Sequence, residues 1–459
     1  MRARPAVACL VAAALALPAT PATPAAAATS TRTIRVASVS ALTAAVTTAR
    51  PGDRIELARG SYALRAPLEI KAEGIVLTGH AAAITGTAGV RVSGSDVTVT
   101  GLDFRTAETI EIKAGARHVR LTRNTFRLAA RAVNWLSVAG DDAEIDHNEF
   151  AGKRTAGVFL QVTGPGRTGM ALRTWVHHNY FADHTFGGSN GGEALRLGVS
   201  TRQHAVARAV VEDNLFERVN GDQEAISVKS SGNVIRRNTI RNSTGTITLR
   251  HGSGNTVDSN LLIGGTTGIR IFGNDQTVVN NIVQDSGRSR SIEVGSGDMR
   301  DDTRSSTGHE AADRVLVAFN TVVVRTAAGT PLDVGDDGDA VHPDTITVAD
   351  NVLVGVRRSM RYERGTRISW LGNVVSGSVS GVQTGYKATD PKLARDTYGV
   401  YRPLAGSPVL GAALGSFATV LRDVDGQARP ANRRSAGADE PRTARQANRR
   451  PATRATLGF

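Results

Sequence analysis

The chain has 459 residues, 49 of them glycine, with only 4% aromatic residues and a formal net charge of +13. Few aromatics and turn residues every few positions describe many short strands rather than long helices. A single cysteine, Cys9, rules out a disulfide framework, and the basic balance favours polyanionic partners.

Residues 1–28 read as a secretory signal. Arg2 and Arg4 form a basic start, Ala6 to Leu17 an apolar stretch, and Ala26-Ala27-Ala28 a small-residue cleavage site. The apolar stretch is shorter than the ~20 residues a membrane span needs. Cys9 would leave with the signal, so the exported protein is expected to rely on burial and backbone ladders alone. For a secreted, extracellular basic protein the expected partner is an anionic polysaccharide, with no nucleic acid and no membrane partner. Oligomeric state is left open.

Within an N-terminal cap at 29–60, Ser38 to Ala49 reads as one short helix with Leu42, Ala45 and Val46 on a common face. Pro51-Gly52-Asp53 ends it and a strand follows at Arg54 to Leu57. Such a helix would close the open end of a solenoid core.

From Gly74 onward one unit recurs: an alternating apolar strand, then Asn, then an apolar pair. The asparagines are Asn124, Asn148, Asn179, Asn214, Asn238, Asn260, Asn281, Asn320 and Asn351, at spacings of 24, 31, 35, 24, 22, 21, 39 and 31 residues. A coil near 22 residues, lengthened by loops, is the mark of a solenoid. A stacked Asn serves it because its amide can satisfy a tight turn and bond the Asn above. The expected fold is all-β, a parallel β-helix over 61–384. Residues 385–440 would pack on it or close its far end, and the basic, aperiodic tail 441–459 would be disordered. The longest insertions fall at 151–175 and 285–313, the second polar and read as a surface loop.

Four runs align within 190–273: Glu193 to Gly198, Glu224 to Lys229, Gly245 to Arg250 and Thr267 to Phe272, at offsets of 31, 21 and 22. Alternation points Leu195/Leu197, Ile226/Val228, Ile247/Leu249 and Ile269/Ile271 inward. Arg196, Ser227, Thr248 and Arg270 then point outward. In this register Lys229 and Arg250 would be stacked neighbours about 4.8 Å apart. Lysine is rare, six against 49 arginines, so a lysine kept at 229 marks a group able to lose its proton, which arginine is not. Asp222, Glu224, Asn190 and Glu193 supply hard oxygen ligands suited to Ca²⁺. Glu224 and Lys229, five residues apart, share a face only if the strand bulges.

The runs Asn190-Gly-Gly-Glu193-Ala-Leu-Arg196-Leu-Gly198, Glu224-Ala-Ile-Ser-Val-Lys229-Ser-Ser and Leu249-Arg250-His251-Gly252 resemble polysaccharide lyase family six, the alginate lyases and chondroitinase B. Looser likeness extends from Pro51 to Glu440. The resemblance implies a right-handed single-stranded parallel β-helix and β-elimination on uronic-acid polymers. By motif Lys229 would be the Brønsted base and Arg250 the Brønsted acid. Asn190, Asp222 and Glu224 would be calcium ligands, with Glu193 a further candidate, and Arg196, His251 and Arg270 would line the substrate groove. Position 222 departs from the family's usual Glu, which puts the strength of calcium binding in question.

Alginate is the first substrate expected, a dermatan/chondroitin-type glycosaminoglycan the second. A hydrolase using Asp222 and Glu224 would leave Lys229 and Arg250 idle, while a C5 epimerase would share the proton abstraction. A non-catalytic glycan-binding β-helix adhesin is the alternative of a different class.

Overall fold

The computed structural model describes residues 32–459 apart from 130–132, 189, 302–307, 336–337 and 442–446. The secretory signal expected at 1–28 lies outside the described residues. From Arg32 onward the described residues form one compact unit.

Each coil contributes three short parallel strands, and successive coils stack them into three walls. One coil shows the order: Val210–Glu212, Leu215–Asn220, then Glu224–Lys229. Each pairs with its counterpart in the next coil, at Val234–Arg236, Thr239–Arg241 and Thr246–His251. Side chains alternate, so Ile226, Val228, Ile247, Leu249, Ile269 and Ile271 fill the interior without exposure. One wall also stacks Phe104, Phe126, Phe150, Phe181 and Phe216 with centroids 5.1, 4.4, 4.9 and 4.8 Å apart.

At the sharp corner between two walls stands the asparagine ladder. Asn238 donates its backbone N–H and its Nδ2 to Asn260 Oδ1 at 3.0 and 3.1 Å, and Nδ2 also reaches Val211 O at 2.8 Å. This scheme runs from Asn124 to Asn351 and continues to Asn373, a rung the spacing rule did not include. The residue before each of these asparagines is left-handed even where it is not glycine: His147, His178, Asp213 and Arg237 have φ between 51° and 54°. The amide network offsets the cost of about 1–2 kcal/mol that such a conformation carries.

The helix forms as Val39–Thr47, capped by Ser38 Oγ accepting from Ala41 N, with Leu42, Ala45 and Val46 buried. After the last coils the chain turns back along the flank. Val420 packs with Val279, Ala318 and Phe319, and Val400, Val424 and Ala438 pack with Leu261 and Ile282.

The described part of the tail, 447–459, is docked rather than disordered. Arg449 donates to Ser259 O and Arg237 O, Ala452 N donates to Thr239 Oγ1 at 2.9 Å, and Arg454 meets Glu149 at 2.8 Å. Leu457 is buried among Tyr180, Ala182 and Leu215. Composition missed this because one threaded arginine and one leucine, not a periodic apolar face, anchor the segment. Deleting 447–459 is expected to lower the melting temperature by several degrees, since it exposes that cluster and removes donors from two carbonyls. An unchanged thermal denaturation curve would refute the docking.

Candidate active site

Lys229, Arg250, Arg196 and Arg270 all lie on one wall. Its rungs there are Leu160–Val162, Leu195–Gly198, Glu224–Lys229, Thr246–His251, Ile269–Ile271 and Arg290–Val294. The central pairing has the expected offset, with Val228 opposite Leu249, but the register slips at both ends. Ala225 is an extra residue on one strand and Arg250 an extra residue on the other. Lys229 therefore pairs with His251, not with Arg250 as uniform spacing predicted. A bulge re-aims a side chain by inserting one unpaired residue. Here it lets Arg250 reach back to Glu224, with Nη1 3.0 Å from Oε1.

Lys229 Nζ donates to Glu193 Oε1 at 3.1 Å. The lysine is 8% exposed and Glu193 1%, so the amine is both braced and largely shielded. Gly198 stands opposite Lys229 on the preceding rung at φ 86°, where a Cβ would fall 2.8 Å from Lys229 O and 3.3 Å from Met170 Sδ. Only glycine fits there. Arg196 lies 3.6 Å from Glu193 and donates to Gln161 Oε1 at 2.9 Å. His251 is 1% exposed and neither ring nitrogen has a hydrogen-bond partner. Burial, with the charges of Arg250 and Lys229 nearby, lowers its pKa to about 3 and keeps the ring neutral.

The expected calcium ligands are near one another. Asp222 Oδ2 accepts from Gly191 N at 2.7 Å and Gly192 N at 3.2 Å, and Oδ1 from Glu224 N at 3.3 Å. Asn190 is exposed beside them. Burial raises the pKa of Asp222, and the charges of Glu193 and Glu224 push it the same way. Glu193 Oε2 and Glu224 Oε2 are buried without a hydrogen-bond partner. Crowded carboxylates with two unanswered oxygens are a donor set that fits a hard dication.

A second group, Glu144, Asp146 and His177, has ligand atoms within 4.8 Å of one another. It stands on a different wall, on strands Glu144–Asp146 and Trp175–His177. There Asp146 already accepts from Arg120 at 2.8 and 2.9 Å and from Thr122 at 2.8 Å.

Several residues beside this wall escaped the sequence reading. Arg288 and Arg290, assigned to a surface loop, converge with Arg270 on Glu293 at 3.5, 3.2 and 3.4 Å. Ile292 and Val294, in step with Ile269 and Ile271, were the available sign of a strand there. His309, on the returning limb of the same insertion, stacks on Phe272 with centroids 4.4 Å apart.

A sequence model of the chondroitinase B family matches residues 36–390. No match to the chain is found among curated proteins. Among solved structures, the alginate lyase AlyGC of family PL6 is 26% identical, with a TM-score of 0.67, covering 81% of this chain and 55% of AlyGC. The chain thus spans little more than half the length of that enzyme. A mannuronic-acid-specific family 6 lyase from the human gut microbiota is 25% identical, with a TM-score of 0.62 and coverage of 78% of this chain and 91% of the other. A PL6 alginate lyase solved with a trisaccharide, 20% identical with a TM-score of 0.69, covers 91% of this chain and 97% of its own and shares the fold. With a family match over most of its length and this wall architecture, the chain belongs to the chondroitinase B family, the polysaccharide lyases of family 6.

Proposed function

We propose that the chain is an exported lyase that cleaves an anionic polysaccharide at a uronic-acid residue, alginate first, by β-elimination. Its main support is the bracing of Lys229 and Arg250 by separate buried carboxylates, Glu193 and Glu224, on one wall. Lys229 in its neutral form takes the proton from C5 of the uronate, and the electron pair left on carbon is shared with the adjacent carboxylate. The C4–C5 double bond then forms as the C4–O4 bond breaks. Arg250 stabilises the charge that develops on O4, which takes its proton from water. Arg196 and Arg270 hold neighbouring carboxylates, a task for which paired N–H donors are suited. A calcium ion bound by Asn190, Asp222 and Glu224, with Glu193 in reach, would offset the charge on the reacting carboxylate and make the C5 proton more acidic.

The family's chondroitinase B description favours a second substrate reading, a dermatan/chondroitin-type glycosaminoglycan. Export rests on residues 1–28. Among the described residues no helix is long and apolar enough to cross a membrane.

Incubation with alginate, its mannuronate-rich and guluronate-rich blocks, and dermatan sulfate tests the reading. Absorbance near 230–235 nm rises if an unsaturated uronate forms, and no rise on any polymer would reject elimination. Calcium is expected to raise the melting temperature of the EDTA-treated protein, by an amount equivalent to about 2.7 kcal/mol at a hundredfold excess over Kd. Asp222→Ala and Glu224→Ala should abolish that shift. A melting temperature indifferent to calcium would remove the ion from the scheme.

A further inference from the structure

We infer that His309, together with His251, contacts the sugar at the reacting centre and reads its hydroxyl groups, making His309 a specificity-determining residue. This inference rests on the lyase reading of the site. Three imidazole nitrogens, His251 Nδ1 and Nε2 and His309 Nε2, are buried there without a hydrogen-bond partner. The two ring centroids are 5.8 Å apart. A native structure rarely leaves so many buried polar atoms unanswered in one place unless a ligand or an ordered water completes them.

His309 is held in place from several sides. Its backbone N–H donates to Asp298 Oδ2 at 3.1 Å and its carbonyl accepts from Asp298 N at 2.8 Å. The next residue's carbonyl accepts from Gly273 N at 3.0 Å, which ties the limb to the neighbouring coil. One face of the ring lies on Phe272, whose ring also carries the Arg270 guanidinium 5.1 Å from its centroid. The stacked face fixes the ring plane, so the edge bearing Nε2 has a set direction.

The chemistry divides between charged and neutral groups. Arg250 and Arg270 offer only donors, which suits carboxylates. A neutral imidazole offers one donor and one acceptor, which suits a hydroxyl. Burial beside Arg250, Arg270 and Lys229 keeps His309 neutral, with its pKa lowered to about 4.

The test compares wild type with His309→Ala and His309→Gln on the polymers named above. On the preferred polymer His309→Ala should lower kcat/KM 10- to 100-fold and change the ratio of rates between polymers, with melting temperature and far-ultraviolet dichroism retained. His309→Gln, which keeps a donor and an acceptor, should recover part of the loss. Unchanged kcat/KM and polymer preference in His309→Ala would overturn the inference. So would equal losses in both variants that follow a lowered melting temperature, or an ordered water that stays on these nitrogens in a crystal soaked with hexasaccharide. If wild type turns over no polymer, the lyase reading falls separately. Calorimetry with a mannuronate or guluronate hexasaccharide then decides the contact. A tenfold weaker affinity in His309→Ala supports it, while equal affinity or no binding by wild type refutes it.

Discussion

Replacing Lys229 by alanine is expected to lower turnover of the preferred polymer by about 10³-fold or more, within or beyond the range for loss of a positioned general base. Lys229→Arg should be nearly as damaging. Arginine can keep a charge opposite Glu193 but does not give up its proton at working pH, and its fork does not reproduce the 3.1 Å contact of the amine. A simple electrostatic role would leave Lys229→Arg close to wild type. Progress curves at 232 nm, with dichroism to check folding, separate these outcomes. Full activity in either variant would take Lys229 out of the reaction. Glycan binding is a separate readout: an adhesin would bind as before in Lys229→Ala and never produce the chromophore.

The second large effect concerns the scaffold. Asn260 Oδ1 accepts from Asn238 N and Nδ2 at 3.0 and 3.1 Å. Its Nδ2 donates to Ile235 O at 2.9 Å and Asn281 Oδ1 at 3.0 Å. Asn260→Ala leaves an N–H and a carbonyl without these partners at a site with no solvent exposure. At about 1–3 kcal/mol for each buried unanswered group, the loss should be on the order of 3–5 kcal/mol. Urea denaturation measures it, and a loss below about 1 kcal/mol would mean the ladder only marks the corners. In a solenoid, coils depend chiefly on their neighbours, so the variant should first lose amide protection in the coils from Asn238 to Asn281.

Much of this was legible in the chain itself. Recurring Asn before an apolar pair specified coils and corners, because a one-residue slip would turn every inward Ile and Val toward water. The same alternation fixed which residues of the four central runs face inward, and the rarity of lysine singled out Lys229. The N-terminal helix was equally readable, since Ser38 and the Leu42/Ala45/Val46 stripe are local signals.

What remained hidden depends on distance in space. Uniform spacing placed Lys229 opposite Arg250. Two single-residue bulges changed that pairing to His251 and swung Arg250 onto Glu224. Bulges arise from a strand fitting its neighbours, and a period-two pattern does not register them. Arg288 and Arg290 looked like loop residues, although their partner Glu293 lies in the same segment; only stacking brings Arg270 to that carboxylate and Phe272 under His309. The tail was misread for the same reason: Arg449 is anchored by the carbonyls of Arg237 and Ser259, some two hundred residues earlier. Local pattern thus determined the rungs and their inward faces. Only the stacked structure decided which charges meet across them, because each contact joins residues from different coils.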